Sequence, residues 1–185
     1  MRDASCPIGD SVVKIYEKIA ANTHGGFDSD LVSYSSQGQF REYAISTCRG
    51  NRLSLYGFDM VRPWTDEELA QLERALEEHT ADLPDDWGSH AIERYRLAGH
   101  LYESIDSEPL FLAELYLQAS WTARDSVVGV LTGLEGPMGA RTFLEEGVQA
   151  LQGDIDERQR TLLLHNLARV AHRGGFIEER DTHLA

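Results

Sequence analysis

The chain has 185 residues and two cysteines. That leaves room for one ordinary domain, or for a small module joined to a helical one, and too few thiols for a disulfide framework. Its 31 acidic and 17 basic residues give a formal charge of −14, a field that repels phosphate backbones and anionic lipid surfaces, so nucleic acid and membrane are excluded as expected partners and a protein with a basic surface is favoured.

Residues 1–7 have no apolar core like that of a signal peptide, and no apolar run reaches the length of about 18 residues needed to span a bilayer. The expected location is the cytoplasm. Residues 1–63 hold both cysteines and many Gly, Ser, Thr and Asn residues. Their apolar residues come in short β-branched or aromatic runs: Val12 to Tyr16, Phe40 to Ile45, and Leu53 to Tyr56. Such runs between turn signals predict short strands. His24-Gly25-Gly26 and Gln37-Gly38-Gln39 are expected turns. Residues 11–21 also allow a helix, with Val12, Ile15 and Ile19 on one face.

Arg62-Pro63-Trp64-Thr65 marks the expected boundary between a β-rich module, 1–63, and a helical domain, 64–185. Thr65 with Glu68 makes a capping box for a helix over about 66–79, with Leu69, Leu72 and Leu76 inward and three carboxylates in its first turn. A second helix is expected over about 89–105, with Ile92, Tyr95, Leu97, Ala98, Leu101 and Tyr102 as its apolar stripe. Pro109 opens a third, which runs to about Arg124, is apolar nearly all round and should be the most buried. Residues 125–136 allow either helix or packed loop. A fourth helix is expected over about 137–152 and a fifth over about 156–173, with Gly174-Gly175 as its C-cap. The tail can start a final short helix.

Two stretches share a layout: Tyr95 to Tyr102 followed by Phe111 to Trp121, and Leu164 to Ala171 followed by Arg173 to Phe176. Each places a Leu-Ala pair on a helix before a tight turn, which resembles tetratricopeptide (TPR) helix pairs. The alternative is a plain bundle with no binding groove. If there is a concave surface, the acidic excess suits a basic partner segment. Trp64, Trp87 and Tyr102 are the candidate anchors for that partner.

Cys6-Pro7-Ile8-Gly9-Asp10 and Thr47-Cys48-Arg49-Gly50-Asn51 look like two degenerate zinc-ribbon knuckles, each keeping one cysteine, with Gly9 and Asn51 where the second would fall. Cys6, Cys48 and His24, with Asp10 as a further donor, form the candidate metal site. Ordinary core cysteines, free thiols lying side by side, and a disulfide are the alternatives, the last expected least in the cytosol. No Gly-rich phosphate loop, His-Glu-x-x-His or nucleophile elbow occurs. Asp28-Ser29-Asp30 reads as a turn, and His165 and His172 as helix-surface residues. Cys48 with His24 is the one imaginable nucleophile pair.

The two knuckles, the segment Thr23-His24-Gly25-Gly26-Phe27-Asp28-Ser29-Asp30-Leu31 and the run Glu114-Leu115-Tyr116-Leu117-Gln118-Ala119-Ser120-Trp121 resemble an uncharacterised bacterial family, DUF2225. The resemblance covers most of the chain and implies a zinc-ribbon-like head plus TPR-like helices, with no established reaction. Half of the expected cysteines are missing here. The expectation is therefore an α+β, mostly α protein: a small β-rich, zinc-ribbon-like N-terminal module followed by a TPR-like antiparallel helical bundle. It is expected to be a non-enzymatic protein–protein interaction or scaffold module. A zinc-binding structural or sensor protein and a thiol-dependent enzyme are the alternatives, and no cofactor other than zinc is implied.

Overall fold

The computed structural model describes residues 1–16, 24–27, 32–36, 40–81, 83, 90–125, 136–150, 157–174 and 177–184. Its elements are mostly helical, with two small antiparallel sheets. Strand β1 (Arg2–Ser5) pairs with β2 (Val12–Ile15), Arg2 opposite Ile15 and Ser5 opposite Val12. Strand β3 (Ile45–Thr47) pairs with β4 (Ser54–Tyr56), Ile45 opposite Tyr56 and Thr47 opposite Ser54. In β2 the burial alternates, with Val13 and Ile15 inward and Val12 and Lys14 outward, as the two-residue period of a half-buried strand requires.

Two of the three expected strands are present and one is corrected. Residues 41–43 form a single 3-10 turn, and only from Ile45 does the chain become a strand. Strand β1 carries no expected pattern because three of its four residues are exposed or polar. His24 and Gly25 form the expected turn, and beyond it the chain pairs with residues 33–34, Gly25 N–H donating to Tyr34 O at 3.1 Å and Phe27 bridging Ser33. Residues 37–39 and 126–135 lie outside the described residues.

The helices follow the expected order. They are α1 (Asp66–Thr80), α2 (Ala91–Ser104), α3 (Pro109–Asp125), α4 (Gly136–Ala150), α5 (Glu157–Gly174) and α6 (Ile177–Leu184). Thr65 and Glu68 complete the capping box of α1: Glu68 N–H donates to Thr65 Oγ1 at 3.2 Å, and Thr65 N–H donates to Glu68 Oε2 at 2.8 Å.

The chain divides into two compact units, Met1–Ala20 with Phe40–Ser107, and Ala21–Gln39 with Glu108–Ala185. The division falls after Ser107, not after Pro63, and the physical reason is a set of polar anchors. Tyr102 of α2 donates its hydroxyl to Asp59 and accepts from Tyr56 N–H. Tyr95 Oη donates to Arg41 O at 3.1 Å, and an Arg94 guanidinium N–H donates to Glu42 O at 2.6 Å. Arg52 donates to Thr80 O and Leu83 O at 3.3 and 3.0 Å, satisfying carbonyls at the end of α1. Arg52 holds a left-handed φ of 65° to do so, a cost that a bulky side chain bears only where its surroundings hold it. At Gly57 an added Cβ would stand 2.6 Å from Ile15 Cγ2, so the two hairpins approach as closely as they do only because this residue is glycine.

In the second unit α3 packs on α4, α4 on α5, and α5 on α6. Ala113, Leu117, Leu144, Leu163 and Leu167 form one buried cluster, with Trp121 and Val148 against it. Helix α3 is buried on most sides, as its composition predicts, with Leu112, Ala113, Leu115, Tyr116, Leu117, Ala119 and Ala123 all inside. The repeated layout, by contrast, does not mark one kind of hairpin. Helices α5 and α6 do pack together, but α2 and α3 belong to different units and α3 pairs with α4.

Glu68 lies beside Arg62, whose hydrogen bond, followed by that of Thr65 N–H, pulls its carboxyl from the ordinary 4.5 down to about 2. A depressed carboxyl contributes stability that is present above 4.5 and lost as pH falls through about 2. Glu68→Gln should flatten that part of the acid-unfolding profile, read as the urea midpoint against pH. Thr65→Ala should cost about 1 kcal/mol at neutral pH in the same assay.

Candidate functional site: cross-linked turns and an aromatic surface

Each hairpin turn begins with a cysteine directly after the first strand. Cys6 N–H donates to Ser11 O at 2.9 Å, and Cys48 N–H donates to Leu53 O at 2.9 Å, so the two turns close over the same span by the same bond. Gly9, with φ of 79°, supplies the left-handed residue in the first turn, and Arg52 does so in the second. Asn51 Nδ2 of the second turn donates to Ile8 O of the first at 2.8 Å, while Asn51 Oδ1 accepts from Leu53 N–H. The positions singled out for absent ligands are thus neighbours: a Cβ on Gly9 would lie 3.8 Å from Asn51 Nδ2.

The cysteines do not form the candidate metal site. Cys6 and Cys48 are joined in a disulfide, with Cα atoms 6.1 Å apart, inside the span such a bond requires. Zinc takes thiolates, and neither sulfur is one when the two are bonded to each other. His24, the third candidate, is exposed and belongs to the other compact unit. Among the described residues no group of three His, Cys, Asp or Glu side chains could hold a metal ion. The bond also removes the imagined Cys48–His24 nucleophile, since neither described cysteine is free and Cys48 is 0% exposed. Ser11 Oγ donates to Cys6 Sγ at 3.2 Å.

The three candidate anchors fare unequally. Tyr102 is only 2% exposed. Its hydroxyl donates to Asp59 Oδ2 at 2.5 Å and accepts from Tyr56 N–H at 2.9 Å, so it is an interior residue and the expectation is corrected. Burial first, then Asp59, holds its phenol well above the ordinary value. Burial also pushes the Asp59 carboxyl up, against the opposing pull of Tyr102 and Arg62. Trp64 is half-buried, with its indole N–H donating to Asp59 O at 2.9 Å and its ring beneath the Arg62 guanidinium, 3.3 Å from the centroid. Trp87 lies outside the described residues.

Other aromatics face solvent instead. Tyr16 and Tyr43 are 47% and 46% exposed, with ring centroids 4.9 Å apart. Phe58, 62% exposed, stacks on Tyr56 at 5.3 Å. Phe40 and Val61 are exposed beside them in the chain. The register puts these residues at the open ends of the two hairpins, away from the cross-linked turns: Tyr16 follows the end of β2, Tyr43 precedes β3, and Tyr56 closes β4. Sequence reasoning read Tyr16, Tyr43, Tyr56 and Phe40 only as strand formers. Tyr16, Tyr43 and Phe40 lie outside strands whose short lengths only the structure shows, and Tyr56, the last residue of β4, is half-buried.

No family model, curated protein or solved structure matches this chain. The DUF2225 resemblance therefore rests on its quoted residues alone.

The disulfide closes a separation of 42 residues, for which loop-closure entropy corresponds to about 4 kcal/mol. Reduction, or the Cys6→Ser/Cys48→Ser variant, should lower unfolding free energy by about that amount in urea melts, with wild type and variant becoming equal once reductant is present. Tyr102→Phe strips Asp59 of a donor and Tyr56 N–H of its acceptor and should cost about 3 kcal/mol. Adding Asp59→Asn to it should recover part of that loss, measured as a double-mutant cycle.

Proposed function

We propose that the chain is a non-enzymatic protein–protein interaction module that binds through the open-end aromatic surface of its hairpins. The observation that carries this reading is the exposure of Tyr16, Tyr43 and Phe58, which flank β2, β3 and β4 at the hairpin ends away from the turns. Aromatic side chains supply large contact area at low entropic cost and are the commonest anchors of protein interfaces. In this reading the surface replaces Trp64 and Tyr102 as the docking element, since Tyr102 is buried and Trp64 is engaged by Asp59 O and the Arg62 guanidinium.

Charge supports the kind of partner. Residues 1–63 hold seven acidic and seven basic side chains, which leaves 24 of the 31 acidic and 10 of the 17 basic residues after Pro63. The hairpins are neutral, while α1 directly after them exposes Asp66, Glu67, Glu73, Glu77 and Glu78. The fitting partner is a protein segment with apolar side chains flanked by arginine or lysine.

The hairpin pair reads as a zinc-ribbon-like head in which a disulfide and the Asn51–Ile8 bond stand in place of metal, and α3 to α6 read as TPR-like hairpins, consistent with a DUF2225-like origin. The expected cytoplasmic location sits against the closed Cys6–Cys48 pair: the thiol pool there keeps such pairs reduced, whereas an oxidising compartment keeps them closed. Among the described residues no helix is long and apolar enough to cross a membrane.

An array of peptides carrying leucine or aromatic residues beside arginines tests the proposal with full-length protein. Binding should fall about tenfold or more in Tyr16→Ala/Tyr43→Ala/Phe58→Ala, with the circular-dichroism spectrum unchanged, and should weaken with salt. Equal binding by wild type and triple variant, or preference for acidic peptides, would remove the proposal.

A further inference from the structure

We propose that the His79–His100 stack is a proton-sensitive fastener between α1 and α2, closed when the rings are neutral and opened when both are charged. His79 sits in the last turn of α1 and His100 in the second half of α2. Their ring centroids are 4.2 Å apart with planes 9° from parallel, a face-to-face contact that two imidazolium ions would oppose at close range. Both rings are half-buried, so protons reach them, and burial disfavours the charge of His79.

The surrounding groups define the balance. Burial first, then His100, holds His79 below the ordinary imidazole value of 6.5, and Arg96 acts in the same direction. Glu78 and Glu103 act against them. Glu103 Oε2 lies 3.6 Å from His100 Nδ1. From the second turn, Arg52 donates to Thr80 O and Leu83 O at the end of α1, adding positive charge to this corner. A group held below its ordinary value contributes stability present above 6.5 and lost as pH falls through the lowered value. The acid window is therefore the one in which imidazole charges, below about pH 6.5. Loosening the last turns of α1 would expose Ala75 and Leu76, both buried in the closed form. The inference stands apart from the partner-binding reading.

The test follows the full chain from about pH 8 to about pH 5, across the ordinary imidazole value. The wild-type unfolding constant should rise, by up to roughly tenfold for each pH unit by which the folded-state value lies below the unfolded one. His79→Phe/His100→Phe keeps two stacked rings with nothing to protonate and should be flatter over the same interval. An equal acid loss in that variant would overturn the proposal. Should the variant not fold, imidazole proton resonances of the wild type decide the matter. A His79 midpoint below that of the urea-unfolded chain supports the fastener, and one equal to it overturns it.

Discussion

The hydroxyl of Tyr102 sits between a buried carboxylate and the last amide of a strand, and the first compact unit is arranged around that placement. Strands of three and four residues cannot cover both their faces, and a lone hairpin is marginal in water. Here the inner face packs on α2, and the polar groups carried inward need partners there. Tyr102 supplies one to Asp59 and one to Tyr56, while Tyr95 supplies another to Arg41. The hairpins and the first two helices thus share one interior.

That arrangement gives the hairpins two unlike ends. The turn end is closed covalently by Cys6–Cys48 and laterally by Asn51 and Ile8. The open end is left with aromatic rings that pack on one another, Tyr16 on Tyr43 and Phe58 on Tyr56, whose own ring also meets Tyr102 of α2 at 6.1 Å. A rigid end and a sticky end on one small scaffold suit a docking role: a cross-linked frame reduces the entropy lost when the aromatics engage a partner. In the proposed reading, the acidic helix that follows would add charge selectivity.

The helices were readable in detail. Their caps, prolines and three-to-four residue spacing act within a few residues, so Thr65 with Glu68 and Pro109 place the starts of α1 and α3 almost to the residue. Strand β1 was missed because Arg2, Asp3 and Ser5 carry no alternation, and its existence depends on β2 lying opposite. The 3-10 turn at 41–43 defeated the strand reading because Phe40, Tyr43 and Ile45 are good strand formers whose local conformation is set by contacts with α2, including Tyr95 on Arg41 O and Arg94 on Glu42 O.

By itself the sequence determined helix order, the capping box, the acidic bias after Pro63, and the two matched cysteine turns, because propensity, charge and turn chemistry are local properties. Only the tertiary structure decided what those turns do to each other. The distance between Cys6 and Cys48, the burial of Tyr102 against Asp59 and the pairing of His79 with His100 each depend on residues 20 or more positions apart meeting in space, and spacing along a chain carries no record of that meeting.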